Sequence, residues 1–214
     1  NNDLDDATAS AKFHIPGLSR IGVCLKVLQS GIQRTYQCTV VMQYFDNSTS
    51  WTVNVSVKDN SGNLAVNQAT SVFFELLRDI SIGSSSISFS SVSPGGGNIT
   101  SSVVQIVNNA NFVVPSLGPL TVTTYNLTGL TNPSDYIPGQ NFRVSGLSGA
   151  ATVCNTGTLL DDETDINVAN ANLPRGPSGS NIENITFCLT AVPQIRSQSY
   201  STQGAGSQPW KISI

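Results

Sequence analysis

The chain of 214 residues carries 10 Lys and Arg against 13 Asp and Glu, a net charge of −3, and only 11% of its residues are charged, where ordinary soluble domains hold roughly 25%. That balance supplies no cationic surface for nucleic acid or for an anionic membrane. The length suits one large all-β domain or two small ones, no apolar run approaches 18 residues, and the start at Asn1 leads us to expect a removed leader and no membrane span.

The first predicted element is a strand over residues 7–15, "ATASAKFHI". Ala7, Ala9, Ala11, Phe13 and Ile15 fall on one side of it, and Thr8, Ser10, Lys12 and His14 on the other. It follows the acidic "NNDLDD", a composition that frays unless it is tied into a sheet or a partner. Pro16 fixes its backbone and Gly17 is free to swing, so residues 1–13, about 43 Å long when extended, form an arm. Such an arm pairs within its own sandwich or crosses to a neighbouring molecule. In the second case, strand addition supplies main-chain hydrogen bonds, and a head-to-tail contact of this kind propagates into fibres. The expected division is an N-terminal strand over 1–15 and a β-sandwich over 16–214, with no linker inside it.

Strands are predicted next over 20–28 and 34–45. Cys24 and Cys38 each lie seven positions from Gly31, so a hairpin centred there sets them opposite each other and leaves Cys154 with Cys188. Four cysteines in two bridges place the chain in an oxidising compartment. In the strand over 51–59, Trp51, Val53, Val55 and Val57 alternate inward and turn Asn54 outward with Thr52, Ser56 and Lys58. "KDNSGN" is a hairpin turn capped by Asp59 with Gly62 at positive φ. Further strands are expected over 69–82, 86–92, 100–108, 119–126, 141–146, 184–192 and 208–214. The stretch from Cys154 to Pro177 has few strand formers and reads as a surface excursion leashed by the second bridge. No 3.6-residue stripe is sustained anywhere, and the fold class is an all-β, jelly-roll or immunoglobulin-like sandwich.

Little in the sequence points to catalysis. His14 is the single histidine, so a Ser-His-Asp or Cys-His constellation would have to use the N-terminal arm, and zinc would need thiols already assigned to bridges. No enzyme activity, cofactor or resident metal is expected. Asp161, Asp162, Glu163 and Asp165 offer oxygen ligands to calcium, but without EF-hand spacing they read as a solvated loop. Trp51 and Trp210 sit at core positions of alternating strands, not on a sugar platform. Five Asn-x-Ser/Thr sequons, at Asn47, Asn54, Asn98, Asn126 and Asn184, are candidate N-glycan sites.

The run "ISFSSVSPGGGNITSSVVQIVNNANFVV", together with a short N-terminal arm ahead of the sandwich, resembles the TasA-like biofilm-matrix subunits and the related archaeal bundling pilins and threads. The resemblance implies that residues 1–15 are a donor strand inserted into the next subunit, with N-glycosylation and a place in an extracellular, cell-surface filament. The function expected is therefore that of a self-polymerising subunit. Two alternatives remain open: a secreted carbohydrate-binding module or adhesin, and a capsid or surface-layer jelly roll.

Overall fold

Two-residue turns decide where this chain reverses. Gly17 and Gly31 adopt φ of +80° and +59°, a region that costs glycine nothing, and each closes a hairpin. A computed structural model describes residues 4–84, 86–146 and 150–214. Its described residues are almost all strand and loop, an all-β sandwich architecture with one short helix, and they divide into two compact units, residues 1–76 and 77–214. This boundary differs from the division into a 1–15 arm and a 16–214 body.

The first unit is one antiparallel sheet of five strands: β1 (Leu4–Ile15), β2 (Leu18–Ser30), β3 (Gln33–Thr39), β4 (Ser50–Asp59) and β5 (Leu64–Phe73), in the order β3-β2-β1-β4-β5. β1 is the middle strand. Cys24 faces Cys38 in the β2–β3 register, and the two are disulfide-bonded. The strand predicted over 34–45 ends at Thr39 because the chain must cross from the β3 edge to β4. Residues 40–49 make that crossing on one face of the sheet, where Val40 packs on Ala9, Ala11 and Cys24. Trp51 is fully buried and donates from Nε1 to the Asn47 carbonyl oxygen at 3.0 Å. The turn "KDNSGN" forms as expected, with Asp59 accepting from the amides of Ser61 and Asn63 at 2.9 and 2.8 Å and Gly62 at φ +86°.

The second unit contains β6 (Ile80–Ile82), β7 (Ile99–Thr100), β8 (Val104–Asn108), β9 (Thr121–Thr123), β10 (Leu127–Gly129), β11 (Tyr136–Ile137) and β12 (Phe142–Ser145). Helix α1 (Ala150–Thr156), β13 (Thr158–Leu159), β14 (Asp165–Asn167), β15 (Ile182–Leu189), β16 (Tyr200–Ser201) and β17 (Lys211–Ser213) complete it. A six-stranded sheet, β13-β12-β15-β8-β6 with β7 beside β15, shares one core with two three-stranded sheets, β11-β10-β16 and β14-β9-β17. Ile106, Phe142 and Phe187 are fully buried there, and Trp210 packs edge-on to Phe142 with ring centroids 4.9 Å apart.

Two expectations are corrected in this unit. The stretch after Cys154 is not a surface excursion: Leu160, Val168, Ala171 and Leu173 are buried in the core, and Cys154 on α1 is bonded to Cys188 on β15. Its apolar residues are spaced irregularly because they belong to short pieces of strand and loop, a spacing that no single period detects. The strand expected over 69–82 is interrupted between Phe73 and Ile80, at the boundary between the units.

Candidate functional site

The slot that holds β1 is shaped by what surrounds it. Ala11 lies opposite Gly22 on β2 and Val55 on β4, and Ser10 lies between Val23 and Ser56. A Cβ on Gly22 would meet the Thr39 carbonyl oxygen at 2.2 Å and Val40 Cγ2 at 2.4 Å, so the crossing segment rides directly on the sheet. Small side chains beneath it are a steric requirement, which accounts for the alanines: Ala9 and Ala11 are buried, at 7% and 1% exposure. Phe13 and Ile15 are half-buried. Ala7 is exposed, because a register shift between Asp5 and Ser10 rephases the strand. Thr8 Oγ accepts from the Lys58 amide at 2.8 Å within that irregularity.

The shift also brings Asp6 onto Lys26 Nζ at 2.7 Å, Arg34 at 2.6 Å and the Tyr36 hydroxyl at 2.7 Å. Lys26, then Tyr36 and Arg34, hold the Asp6 carboxyl well below the usual carboxylate range. A carboxyl whose folded pKa is depressed stabilises the fold above its unfolded value of about 4, and that stabilisation is lost as pH falls through that value toward the folded one. The melting temperature of the first unit should therefore drop between about pH 4 and pH 2, and Asp6→Asn should flatten the profile in that window. In the second unit Asp162 and Glu183 contribute with the opposite sign, since burial raises their carboxyls, and a raised carboxyl loses its penalty as it protonates.

The face of the sheet away from the crossing segment carries exposed apolar side chains on β2. Ile21, Val23 and Leu25, alternating on β2 with Gly22 and Cys24, are 75%, 71% and 69% exposed, a contiguous apolar stripe of the kind that marks interaction surfaces. Lys12, His14 and Asn54 share that face beside a hollow of about 360 Å3. The sequence reading placed Asn54 outward, and it is half-buried with its Oδ1 unsatisfied. Among the other sequons, Asn47 is half-buried, Asn98 sits at φ +58°, and Asn126 accepts from the Gly139 amide at 3.3 Å. Asn184 on β15 is exposed.

Sequence reasoning missed an open groove in the second unit. Its volume is about 770 Å3, and its floor is the core itself: Val104, Phe187, Leu189 and Trp210. One wall is the run 86–92, predicted as a strand, which among the described residues makes one bridge, Phe89 to Ser101. The other wall includes β16, the end strand of its sheet. The signal present in the sequence was "SISFSSV", whose alternation promises a strand without naming a partner for its second edge.

The acidic residues of the 161–165 loop engage their own surroundings. Thr123 donates to Asp165, Asp161 accepts from the Asp162 amide at 2.9 Å, and no group of three or more His, Cys, Asp or Glu among the described residues has metal-binding geometry. Burial, then Glu163 and Asp161, pushes the Asp162 carboxyl up. His14 lies in β1 opposite Ser19 and Thr52. Two disulfides fit a chain that folds in an oxidising compartment, secreted or extracellular, and among the described residues no helix is long and apolar enough to cross a membrane. No protein-family model, curated protein or solved structure matches this chain.

Proposed function

We propose that the chain is a structural subunit of an extracellular filament whose copies join by exchanging β1. The observation that carries this reading is the position of β1: it is the middle strand of its sheet, hydrogen-bonded on both sides, yet it is joined to β2 only through Pro16 and Gly17. If the turn opens, the β1 of one copy fills the same slot in another with the same register, the same alanines under the crossing segment and the same Asp6 contacts. Exchange therefore sacrifices no ladder bond, and its main penalty is the entropy of association. A copy that donates forward and receives from behind extends a filament, whereas a reciprocal pair closes as a dimer. The stripe of Ile21, Val23 and Leu25 is the kind of surface such an assembly buries. Asn98 and Asn184 are the two exposed sequons and are the sites with room for an N-glycan.

The pair Ser10 and Ser56, with hydroxyl oxygens 3.0 Å apart across β1 and β4, gives a direct test. A Ser10→Cys protein mixed with a Ser56→Cys protein under assembling conditions should form a disulfide between copies. Ser10→Cys mixed with the off-register Thr52→Cys should not. Bond formation only within a Ser10→Cys/Ser56→Cys single chain, with none between the mixed single variants, would return β1 to its own sheet for good.

A further inference from the structure

The groove of the second unit is bounded by backbone that has something left to bond. The Ser88 carbonyl oxygen accepts from the Ser102 amide at 3.2 Å, so residue 88 turns toward the ladder, and by strand alternation Ile87, Phe89 and Ser91 turn their amides and carbonyls the other way. Among the described residues, the backbone groups of these three carry no hydrogen bond. Across the groove the same parity holds. The Ser199 carbonyl oxygen accepts from Leu130 at 2.9 Å, which makes Tyr200 the residue of β16 whose backbone faces away from its ladder partner β10. Two sheet edges therefore border one trough that opens onto buried Val104, Phe187 and Leu189.

We propose that this groove is a binding site for a short extended peptide, uncharged and alternating apolar with small polar side chains, which adds as a strand to the Ile87–Ser91 edge. The volume sets the length. A strand residue in a packed sheet occupies roughly 160 Å3, from about 3.3 Å of rise, 4.8 Å between strands and 10 Å between sheets, so about 770 Å3 holds about five residues. β1, at 12 residues, is too long for it, which separates this site from the exchange proposed above. The lining sets the polarity. Its one charged side chain is Arg196, 71% exposed and 3.6 Å from Asp135, so an ionic peptide would find no buried counter-charge. The apolar floor takes the alternate side chains, and the serines of the rim, Ser86, Ser88 and Ser90, face the polar ones. Of the usual recognition modes, strand addition is the one that uses unpaired edge amides.

The test uses the whole chain and an N-acetylated, C-amidated peptide, Val-Thr-Val-Thr-Val, followed by amide hydrogen exchange. Binding should slow exchange at Ile87, Phe89 and Ser91 by about tenfold or more, as one or two new hydrogen bonds imply, and leave Ser88 and Ser90 unchanged. The same peptide with proline at its third position should bind about tenfold more weakly. Equal affinity for the proline peptide, protection that ignores the odd–even pattern, or shifts at Tyr200 and Trp210 with soluble oligosaccharides but not with the peptide would each overturn the proposal. Because the readout lies on amides of the second unit, failure here leaves the cysteine test of β1 exchange unaffected, and the converse also holds.

Discussion

Deleting residues 1–15 should unfold the first unit while the second keeps its fold. The deletion removes the strand between β2 and β4 and leaves two hairpins, β3-β2 and β4-β5, and an isolated two-stranded hairpin is marginal in water. A unit of about 76 residues has on the order of 5 kcal/mol of stability. Loss of both ladders, of Ala9 and Ala11 from the small core and of Asp6 from Lys26 and Arg34 exceeds that. Limited proteolysis should cut within 16–76 and spare 77–214. A synthetic peptide spanning residues 4–15 should restore the protection, since the slot accepts β1 without needing the covalent link through Gly17. A truncated protein whose first unit resists protease as the full chain does, with no peptide added, would show that β1 is dispensable and would remove the basis for exchange.

The sequence alone presents residues 1–15 as an arm ahead of a sandwich, whereas the structure makes β1 the middle strand of a sheet, and the reason for the difference is physical. Alternation over residues 7–15 identifies a strand and both of its faces, but it does not say how many neighbours the strand has, because edge and middle strands share the same period. That Ala9 and Ala11 share one side of the strand was legible, but the narrow space they fill was not. What narrows the space is the crossing segment 40–49, whose first part, to residue 45, was read as more strand because "TVVMQYF" is rich in strand formers. The hairpin at Gly31 and the turn at Asp59–Asn63 were plain, since each is a local structure carried by residues that tolerate its backbone. The boundary between the units was hidden, because it falls in "FFELLRD", a run with no Gly or Pro to mark it. Likewise the groove depends on which edge of residues 86–92 finds a partner, a long-range fact that no local pattern records.

Asp46→Ala should cost the first unit about 3 kcal/mol and leave the melting of the second unchanged. Asp46 is fully buried, accepts from Arg20 Nε at 2.9 and 3.2 Å and from the Gln43 amide at 2.8 Å, and is ion-paired to the second guanidinium nitrogen. Its carboxylate raises the pKa of Arg20 and holds that side chain, only 25% exposed, against the sheet. Removing it strands a guanidinium and a backbone amide together, and both then carry a desolvation penalty that no new partner offsets. Asp46→Asn, which keeps an acceptor but not the charge, should lose less. The consequence reaches β1, because the pair fastens the crossing segment to β2 at Arg20, opposite Phe13, and the same segment covers Ala11 through Val40. With the fastening gone, the lid over the slot loosens and the β1 strand should exchange faster. The disulfide between Ser10→Cys and Ser56→Cys copies should then form sooner in an Asp46→Asn background than in the native one. A slower reaction there would mean that the crossing segment guides the incoming strand instead of confining the resident one.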